Sequence, residues 1–125
     1  MLSHCDLVAF VAVRDAERAK RFYRDLLGLP LIGEDSFALV FDAHGTTLRV
    51  SIVPELAPAK HTVLGWTVSD VASAVRELNA EGVTVVRYPF LAQDDAGIWT
   101  APSGSRVAWF EDPDGNLLSL TQNPG

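Results

Sequence analysis

The feature that most constrains the fold of this chain is a tight, glycine-containing turn that occurs twice. Residues 112–118 read Asp-Pro-Asp-Gly-Asn-Leu-Leu, and residues 42–48 share the D-x-x-G-x-x-L spacing of that segment. Apolar residues flank both copies. Glycine in each copy, and proline in the second, supply the backbone angles of a tight turn, so each copy predicts a hairpin between two strands. The chain is therefore expected to contain two copies of one folding unit.

The residues up to 53 predict a strand, a helix and three further strands. Residues 7–13 are apolar and rich in β-branched side chains, which favours a strand. Asp15 is a good N-cap for a helix that ends at Gly28. The apolar positions of this helix recur at helical spacing, at Ala19, Phe22, Tyr23, Leu26 and Leu27. The three further strands are predicted at residues 29–32, 37–41 and 48–53.

The same order of elements begins again after a linker with two prolines, residues 54–60. A strand at residues 61–68 precedes Asp70, a second N-cap, and a helix that ends at Gly82. Three strands are then predicted at residues 83–88, 106–111 and 117–122. The sequence thus predicts an α+β fold with two β-α-β-β-β modules.

The two modules occupy residues 5–53 and 61–122, and together they predict one domain over residues 1–125. This length suits one compact domain, since folding at this size buries roughly two thirds of the surface of the unfolded chain. Hydrophobic residues make up 48% of the chain and charged residues 21%, which indicates a globular protein without a disordered segment.

The second module is longer than the first. Val13 and Val68 are 55 residues apart, whereas Asp42 and Asp112 are 70 apart, so the second module carries 15 additional residues. This surplus fits a loop at residues 89–103 with a short strand at residues 97–101. Long insertions on a rigid scaffold often carry function, and the loop contains three apolar residues that suit a solvated loop poorly, namely Phe90, Ile98 and Trp99.

Charge and cysteine content narrow the class of partner. The formal net charge is −6 and the isoelectric point is about 4.8, whereas nucleic acids and anionic membranes are bound through basic patches. Cys5 is the single cysteine, so no intrachain disulfide can form, and the N-terminus lacks the pattern of a signal peptide. No apolar segment reaches the roughly 18 residues of a membrane helix. We expect a cytoplasmic protein with a small-molecule partner.

A family resemblance rests on the paired modules and on several short motifs. These are the strand-to-helix entries at residues 13–15 and 68–70, Phe-Tyr and Leu-Gly-Leu at residues 22–23 and 27–29, and Phe-Glu-Asp-Pro-Asp-Gly-Asn at residues 110–116. Together they resemble the vicinal oxygen chelate superfamily, which includes glyoxalase I, extradiol dioxygenases, fosfomycin resistance enzymes and bleomycin resistance proteins. The resemblance implies a curved mixed sheet, helices on its outer face, a cavity between the modules and a homodimer.

Metal-using members of that superfamily place four ligands, usually His, Glu or Gln, on strands of the two modules. The resemblance carries these positions to Val8, Val63, Arg49 and Ser119. Two valines, a guanidinium and a hydroxyl do not form a divalent metal site, so no metal cofactor is predicted. A divalent metal remains the alternative if a shift in strand register brings His61 toward Glu111 or Asp94.

Strand alternation extends the set of residues expected to line the cavity. Side chains two positions apart share one face of a strand. The predicted ligand-binding set is Val8, Phe10, Arg49, Ser51, Val63, Thr67, Trp99, Trp109, Ser119 and Thr121. In a partly dry cavity, the Arg49 guanidinium would bind a carboxylate or phosphate of the ligand. The alternative role of Arg49 is a structural ion pair with Asp42, Glu111 or Glu34.

The remaining candidates lie in or near the long loop. Trp99 and Trp109 are expected to stack on a planar ligand. The candidates for acid–base catalysis are Tyr88, Asp94 and Asp95, with Gln93 among the same loop residues. A solvated acidic loop tip is the alternative reading of the two aspartates.

The sequence therefore favours metal-independent binding of a small aromatic or anionic molecule, as in proteins of the glyoxalase and bleomycin resistance type. The alternative is a lyase, isomerase or dioxygenase of the same superfamily that uses a metal ion or a metal-free acid and base. Whether the chain is an enzyme stays open at this point. A pure interaction domain is a third and weaker interpretation.

Overall fold

A computed structural model describes residues 1–125 and places the chain in two compact units, Met1–Pro58 and Ala59–Gly125. The first unit contains β1 (Val8–Val13), α1 (Ala16–Lys20) with a π-helical extension (Arg21–Leu26), β2 (Leu31–Glu34), β3 (Ala38–Ala43) and β4 (Thr46–Ile52). The second contains β5 (Leu64–Thr67), α2 (Val71–Ala80), β6 (Trp99–Thr100), β7 (Arg106–Glu111) and β8 (Leu117–Gln122). Neither helix is long and apolar enough to cross a membrane.

Each unit builds its own four-stranded mixed sheet. The strand orders are β1-β4-β3-β2 and β5-β8-β7-β6. In both sheets the first strand pairs in parallel with the last strand of its module, and the remaining pairs are antiparallel. The predicted α+β class, with two β-α-β-β-β modules, is confirmed.

The helix of the first unit covers one face of its sheet. The Asp15 carboxylate caps the helix by accepting a hydrogen bond from the Arg18 N–H at 3.0 Å. The chain then widens into a π-helical turn, closed by Leu27 N–H donating to Phe22 O at 2.9 Å. Neighbouring Phe22 and Tyr23 are both buried, and their rings meet edge to face at 5.0 Å. The core of this unit forms between these rings and the sheet.

The strand predicted at residues 29–32 begins later than expected, at Leu31. Leu29 N–H donates to Tyr23 O at 3.0 Å, so Leu29 completes the end of the helix. Gly28, with φ of +78°, provides the left-handed residue at which the chain leaves the helix.

The helix of the second unit begins at Asp70, whose carboxylate accepts from the Ser73 N–H at 3.1 Å. Its first free N–H, at Val71, donates to the side-chain oxygen of Gln122 on β8 at 2.9 Å. Val71, Val75 and Leu78 form the buried stripe of this helix. The cap is the one that the sequence predicts.

The two glycine turns differ in length, which corrects the expected equivalence of Asp42 and Asp112. Six residues lie between Phe41 and its partner Leu48, whereas seven lie between Phe110 and its partner Leu118. The second turn therefore holds one more residue than the first. The sequence pattern does not reveal this insertion, because the spacing from aspartate to glycine is the same in both copies. The additional residue is Glu111, between Phe110 and Asp112.

The longer turn is held by a buried aspartate. Asp112 is only 5% exposed, and its Oδ1 accepts from the N–H groups of Asp114 and Asn116, both at 2.9 Å. Its Oδ2 accepts from Asn116 Nδ2 at 2.8 Å. A buried carboxylate with three donors is well satisfied, so the turn is rigidly specified by its own side chains.

The strand predicted at residues 83–88 is wrong, because this segment does not form a strand in the sheet. One ladder-like bond remains, from Val86 N–H to Trp109 O at 2.8 Å. The next backbone groups of this segment bond to the Gln93 side chain: Val86 O accepts from its Nε2, and Tyr88 N–H donates to its Oε1. The edge position opposite Arg106 and Val107 belongs instead to β6, inside the short strand expected at residues 97–101.

Gly97 and Gly82 form a matched pair for a stability test. Both have positive φ, 87° and 82°, but a Cβ at Gly97 would lie 2.6 Å from Val85 Cγ1, whereas nothing lies within 4 Å of a Cβ at Gly82. Gly82→Ala is expected to lower the free energy of unfolding by about 1 kcal/mol, and Gly97→Ala by roughly 2–4 kcal/mol. Urea denaturation measures both. Equal losses would show that the Val85 contact relaxes at no cost.

Candidate functional site

One face of the first sheet is open, and four of the predicted ligand-binding residues lie on it. Along β4, Leu48 and Val50 are buried, whereas Arg49 and Ser51 between and after them are partly exposed. Phe10 lies opposite Arg49 on the adjacent β1 and is 60% exposed. The strand pairings place Val8, Phe10, Arg49 and Ser51 on the same face. The sequence predicted a shared face for these residues from strand alternation alone, and the strand pairings show that they are neighbours on one face.

Arg49 lies between apolar neighbours and has no counter-ion. It is paired in register with Phe10 on one side and Val40 on the other. The guanidinium makes no hydrogen bond and no ion pair, so the structural pairs considered for it are not formed. Glu34 pairs instead with Lys20, and the Asp42 carboxylate accepts from the Gly45 N–H at 2.8 Å.

The positive charge of Arg49 influences the pKa of the nearby Asp35 carboxyl. The pKa of the Asp35 carboxyl is lowered first by hydrogen bonds from the N–H groups of Phe37 and Ala38, and then by the positive charge of Arg49. The effect of Arg49 on this carboxyl is electrostatic, without a direct contact. The half-buried guanidinium thus keeps its donors available for a ligand.

The open face of the second sheet carries the other predicted residues. Ser119 lies between Gly65 on β5 and Trp109 on β7. The next row along the strands contains Thr67, Thr121, Val107 and Trp99. Val63 lies just before β5, donates its N–H to Leu117 O at 3.0 Å and is 37% exposed. This face is therefore aromatic and hydroxyl-bearing.

The two modules differ at equivalent positions of their open faces. The pairings make Arg49 equivalent to Ser119, Phe10 to Gly65 and Val40 to Trp109. In the first unit the aromatic neighbour of the central residue is Phe10, on the parallel strand β1. In the second unit it is Trp109, on the antiparallel strand β7. The duplicated scaffold thus presents a cation in one unit and a hydroxyl in the other.

Gly65 lies directly against Ser119 on the neighbouring strand. A Cβ at Gly65 would lie 2.5 Å from Ser119 Oγ, closer than side-chain atoms pack. Strand alternation in the sequence puts Gly65 on the open face, but only its cross-strand neighbour reveals the close approach.

Four rings of the second unit form an aromatic cluster, which consists of Tyr88, Phe90, Trp99 and Trp109. Trp109 is central: its ring centroid lies 6.0 Å from that of Trp99 and 5.4 Å from that of Tyr88. Tyr88 meets Trp109 edge to face and lies 5.4 Å from Phe90. Burial raises the pKa of the Tyr88 hydroxyl, and the negative charge of Glu111 raises it further, so Tyr88 is a neutral hydrogen-bond donor at pH 7.

Gln93 holds the segment that carries Tyr88. Its Oε1 accepts from Tyr88 N–H at 2.7 Å, and its Nε2 donates to Val86 O and Gly97 O at 2.9 and 2.8 Å. The sequence placed Gln93 among the loop candidates but gave no signal for these contacts. The Gln93 amide thus links the segment that carries Tyr88 to Gly97, two residues before Trp99.

The two loop aspartates differ in their surroundings. Asp94 Oδ1 accepts from the N–H groups of Ala96 and Ile98, both at 2.9 Å, and shapes the turn before Trp99. The backbone carbonyls of Asp94 and Asp95 accept from Arg87 Nη2 at 2.9 and 2.7 Å. Both side chains are exposed. This arrangement gives Asp94 a structural function, whereas a role for either aspartate in proton transfer stays a prediction.

The four positions that metal-using relatives employ do not fit a divalent ion in this chain. Val8 and Val63 carry no donor atom, Arg49 carries a permanent positive charge, and Ser119 offers one neutral hydroxyl. No group of three or more His, Cys, Asp or Glu side chains is arranged to hold a metal ion. His4, His44 and His61 are all exposed.

Comparisons with known proteins agree with this architecture. The sequence matches the family model of the Glyoxalase/Bleomycin resistance protein/Dioxygenase superfamily over residues 2–120. No curated protein matches the chain by sequence at a significant level.

Three solved structures illustrate the likeness in fold. A member of this superfamily from Sphaerobacter thermophilus DSM 20745 has a TM-score of 0.77 at 21% identity, covering 98% of this chain and 100% of that chain. Lactoylglutathione lyase from Agrobacterium tumefaciens has a TM-score of 0.75 at 18% identity, covering 95% and 93%. A bleomycin resistance determinant encoded on transposon Tn5 has a TM-score of 0.72 at 20% identity, covering 96% and 98%. At these identities the likeness concerns the fold alone.

The Gln93 contacts predict a specific loss of stability. Gln93→Leu removes three hydrogen bonds and leaves three backbone groups to be satisfied by water, whereas Gln122→Leu removes one, to Val71. We expect losses of about 2 kcal/mol and about 1 kcal/mol, respectively, in urea denaturation. Near-ultraviolet circular dichroism is expected to change only for Gln93→Leu, since Tyr88 would leave Trp109. An unchanged spectrum would show that Gln93 does not position the cluster.

Proposed function

This chain belongs to the Glyoxalase/Bleomycin resistance protein/Dioxygenase superfamily, and we propose that it is a metal-independent member that binds a small aromatic or anionic molecule. Such a protein sequesters or senses its ligand. The observation that carries the proposal is the half-buried guanidinium of Arg49, which has no ion-pair partner and lies between Phe10 and Val40 on the open sheet face. A charge in that setting is stabilised when an anion with matching geometry replaces the water around it.

The open face of the second sheet is, by itself, a surface suited to an aromatic ligand. Trp99 and Trp109 are partly exposed, and aromatic rings offer large contact area at low cost in side-chain entropy. Ser119 and Thr121 lie beside them and can both donate and accept hydrogen bonds. A mostly apolar surface with a few polar groups is the usual lining of a small-molecule site.

Binding without a metal ion is favoured by the residue chemistry at the expected ligand positions. Among the structural neighbours, one is named as a lyase and another as a bleomycin resistance determinant. Two valines, an arginine and a serine favour the resistance-protein type of function for this chain over metal-dependent catalysis.

We also propose a cytoplasmic homodimer. Large apolar side chains of the first unit are exposed in the single chain, among them Leu7, Ile32 and Phe37. Covering such side chains with a second copy would remove apolar surface from water. Light scattering coupled to gel filtration tests the dimer, and a monomer at micromolar concentration would overturn it.

Replacing Arg49 tests the anion site. Naphthalene-2-sulfonate and neutral 2-naphthol serve as probes, with binding followed by calorimetry. Arg49→Ala is expected to weaken sulfonate binding by about tenfold to a hundredfold, because charged hydrogen bonds contribute roughly 1.5–3 kcal/mol, and to leave naphthol binding and the unfolding temperature nearly unchanged. Arg24→Ala is the matched control, since Arg24 is exposed and pairs only with Asp25. Unchanged sulfonate affinity in folded Arg49→Ala would remove Arg49 from the site.

Metal analysis tests the remaining part of the proposal. Protein purified without chelators is expected to contain far less than one equivalent of Fe, Mn, Ni, Zn or Co per chain, and EDTA is expected to leave naphthalene-2-sulfonate binding unchanged. About one tightly held equivalent, lost together with binding, would show that the protein uses a metal site elsewhere.

A further inference from the structure

The open face of the second sheet places a carboxylate next to the aromatic cluster. Trp109 and Glu111 are two residues apart on β7, with Phe110 between them buried on the opposite face. Alternation therefore puts Trp109 and Glu111 on the same face, roughly 6–7 Å apart along the strand. Glu111 is exposed, so its negative charge faces the surface on which the cluster lies.

The rings of the cluster present their faces at two different angles. Trp99 lies at 32° to Trp109, whereas Tyr88 is nearly perpendicular to it, at 87°. Phe90 extends the cluster and is 78% exposed. The face of an aromatic ring carries negative potential and attracts cations, most strongly for tryptophan. The packed rings thus form one aromatic surface, in which Phe90 is exposed and Tyr88, Trp99 and Trp109 are partly exposed.

No basic side chain of this unit neutralises Glu111. Arg87 donates to the backbone carbonyls of Asp94 and Asp95, and Arg106 lies 3.8 Å from the Asp94 carboxylate. Arg106 is paired in register with Gln122, whose side chain bonds the first turn of α2, so Arg106 projects from the helix-covered face. Glu111 itself forms no ion pair or hydrogen bond.

We propose that Glu111 and the aromatic cluster bind an organic ammonium group. This inference rests on the proposed small-molecule function and specifies the chemistry of the ligand at the second unit. A carboxylate beside partly exposed aromatic rings, without a resident cation, favours positive charge and disfavours an anion. A neutral aromatic ligand would use the rings but gain nothing from Glu111.

The test compares choline with 3,3-dimethylbutan-1-ol, which has the same shape but a neutral carbon in place of the ammonium nitrogen. Binding is followed by calorimetry and by tryptophan fluorescence. We expect choline to bind about fivefold or more tightly than the alcohol, and Glu111→Gln to remove most of that preference. Glu77→Gln is the matched control, because Glu77 is exposed on α2. This control variant is expected to keep the preference.

A second variant tests the rings without altering charge. Trp99→Leu is expected to weaken choline binding severalfold, whereas Trp66→Phe on the helix side is expected to leave it unchanged. Circular dichroism verifies the fold of each variant.

The outcomes separate this inference from the function on which it rests. Equal binding of choline and the alcohol, or the same loss in Glu111→Gln and Glu77→Gln, would overturn the ammonium site. If naphthalene-2-sulfonate still binds in that case, the small-molecule function stands. If none of the probes binds to the folded protein, both proposals fall.

Discussion

The parallel pairing of the first and last strands of each module determines which side chains this protein can offer to a ligand. β1 lies beside β4 and β5 beside β8, so residues distant in sequence share one register and one face. A helix covers one side of each sheet, which leaves the alternate side chains on the other side. A shift of one residue in either pairing would bury Arg49 or Ser119 and expose leucines. The chemistry of both faces therefore depends on backbone register before it depends on any single side chain.

The two modules differ in chemistry at the central position of their open faces. The helix-side residues Leu48 and Leu118 are identical and buried, because a packed interior tolerates few changes in volume. Their neighbours Arg49 and Ser119 differ in size, charge and hydrogen-bonding capacity. One scaffold thus presents two different surfaces, an arginine among apolar groups and a set of rings beside a carboxylate.

Much of this architecture could be predicted from the sequence, since hydrophobic periodicity and turn residues report directly on backbone geometry. The 55-residue offset between first strands and the 70-residue offset between last strands agree with the observed pairings of Ala9 with Leu48 and Leu64 with Leu118. Residues 83–88 differ from the prediction: their β-branched side chains favour a strand, whereas a side-chain amide bonds the backbone groups that a strand would use in its ladder. Contacts such as those of Gln93 and Gly65 depend on partners that are distant in sequence or on another strand, and local patterns carry no signal for them.

The Gln93 amide also bears on how the protein avoids association through its sheet edge. An edge strand normally presents a row of unpaired N–H and carbonyl groups that can template pairing with another chain. Here β6 is only two residues long, and Val86 C=O and Tyr88 N–H, on the side of their segment that faces β7, are bonded to a side chain instead of a strand. The Gln93 amide therefore interrupts the ladder next to β7, and the edge strand that the second sheet offers to another chain on this side is limited to two residues.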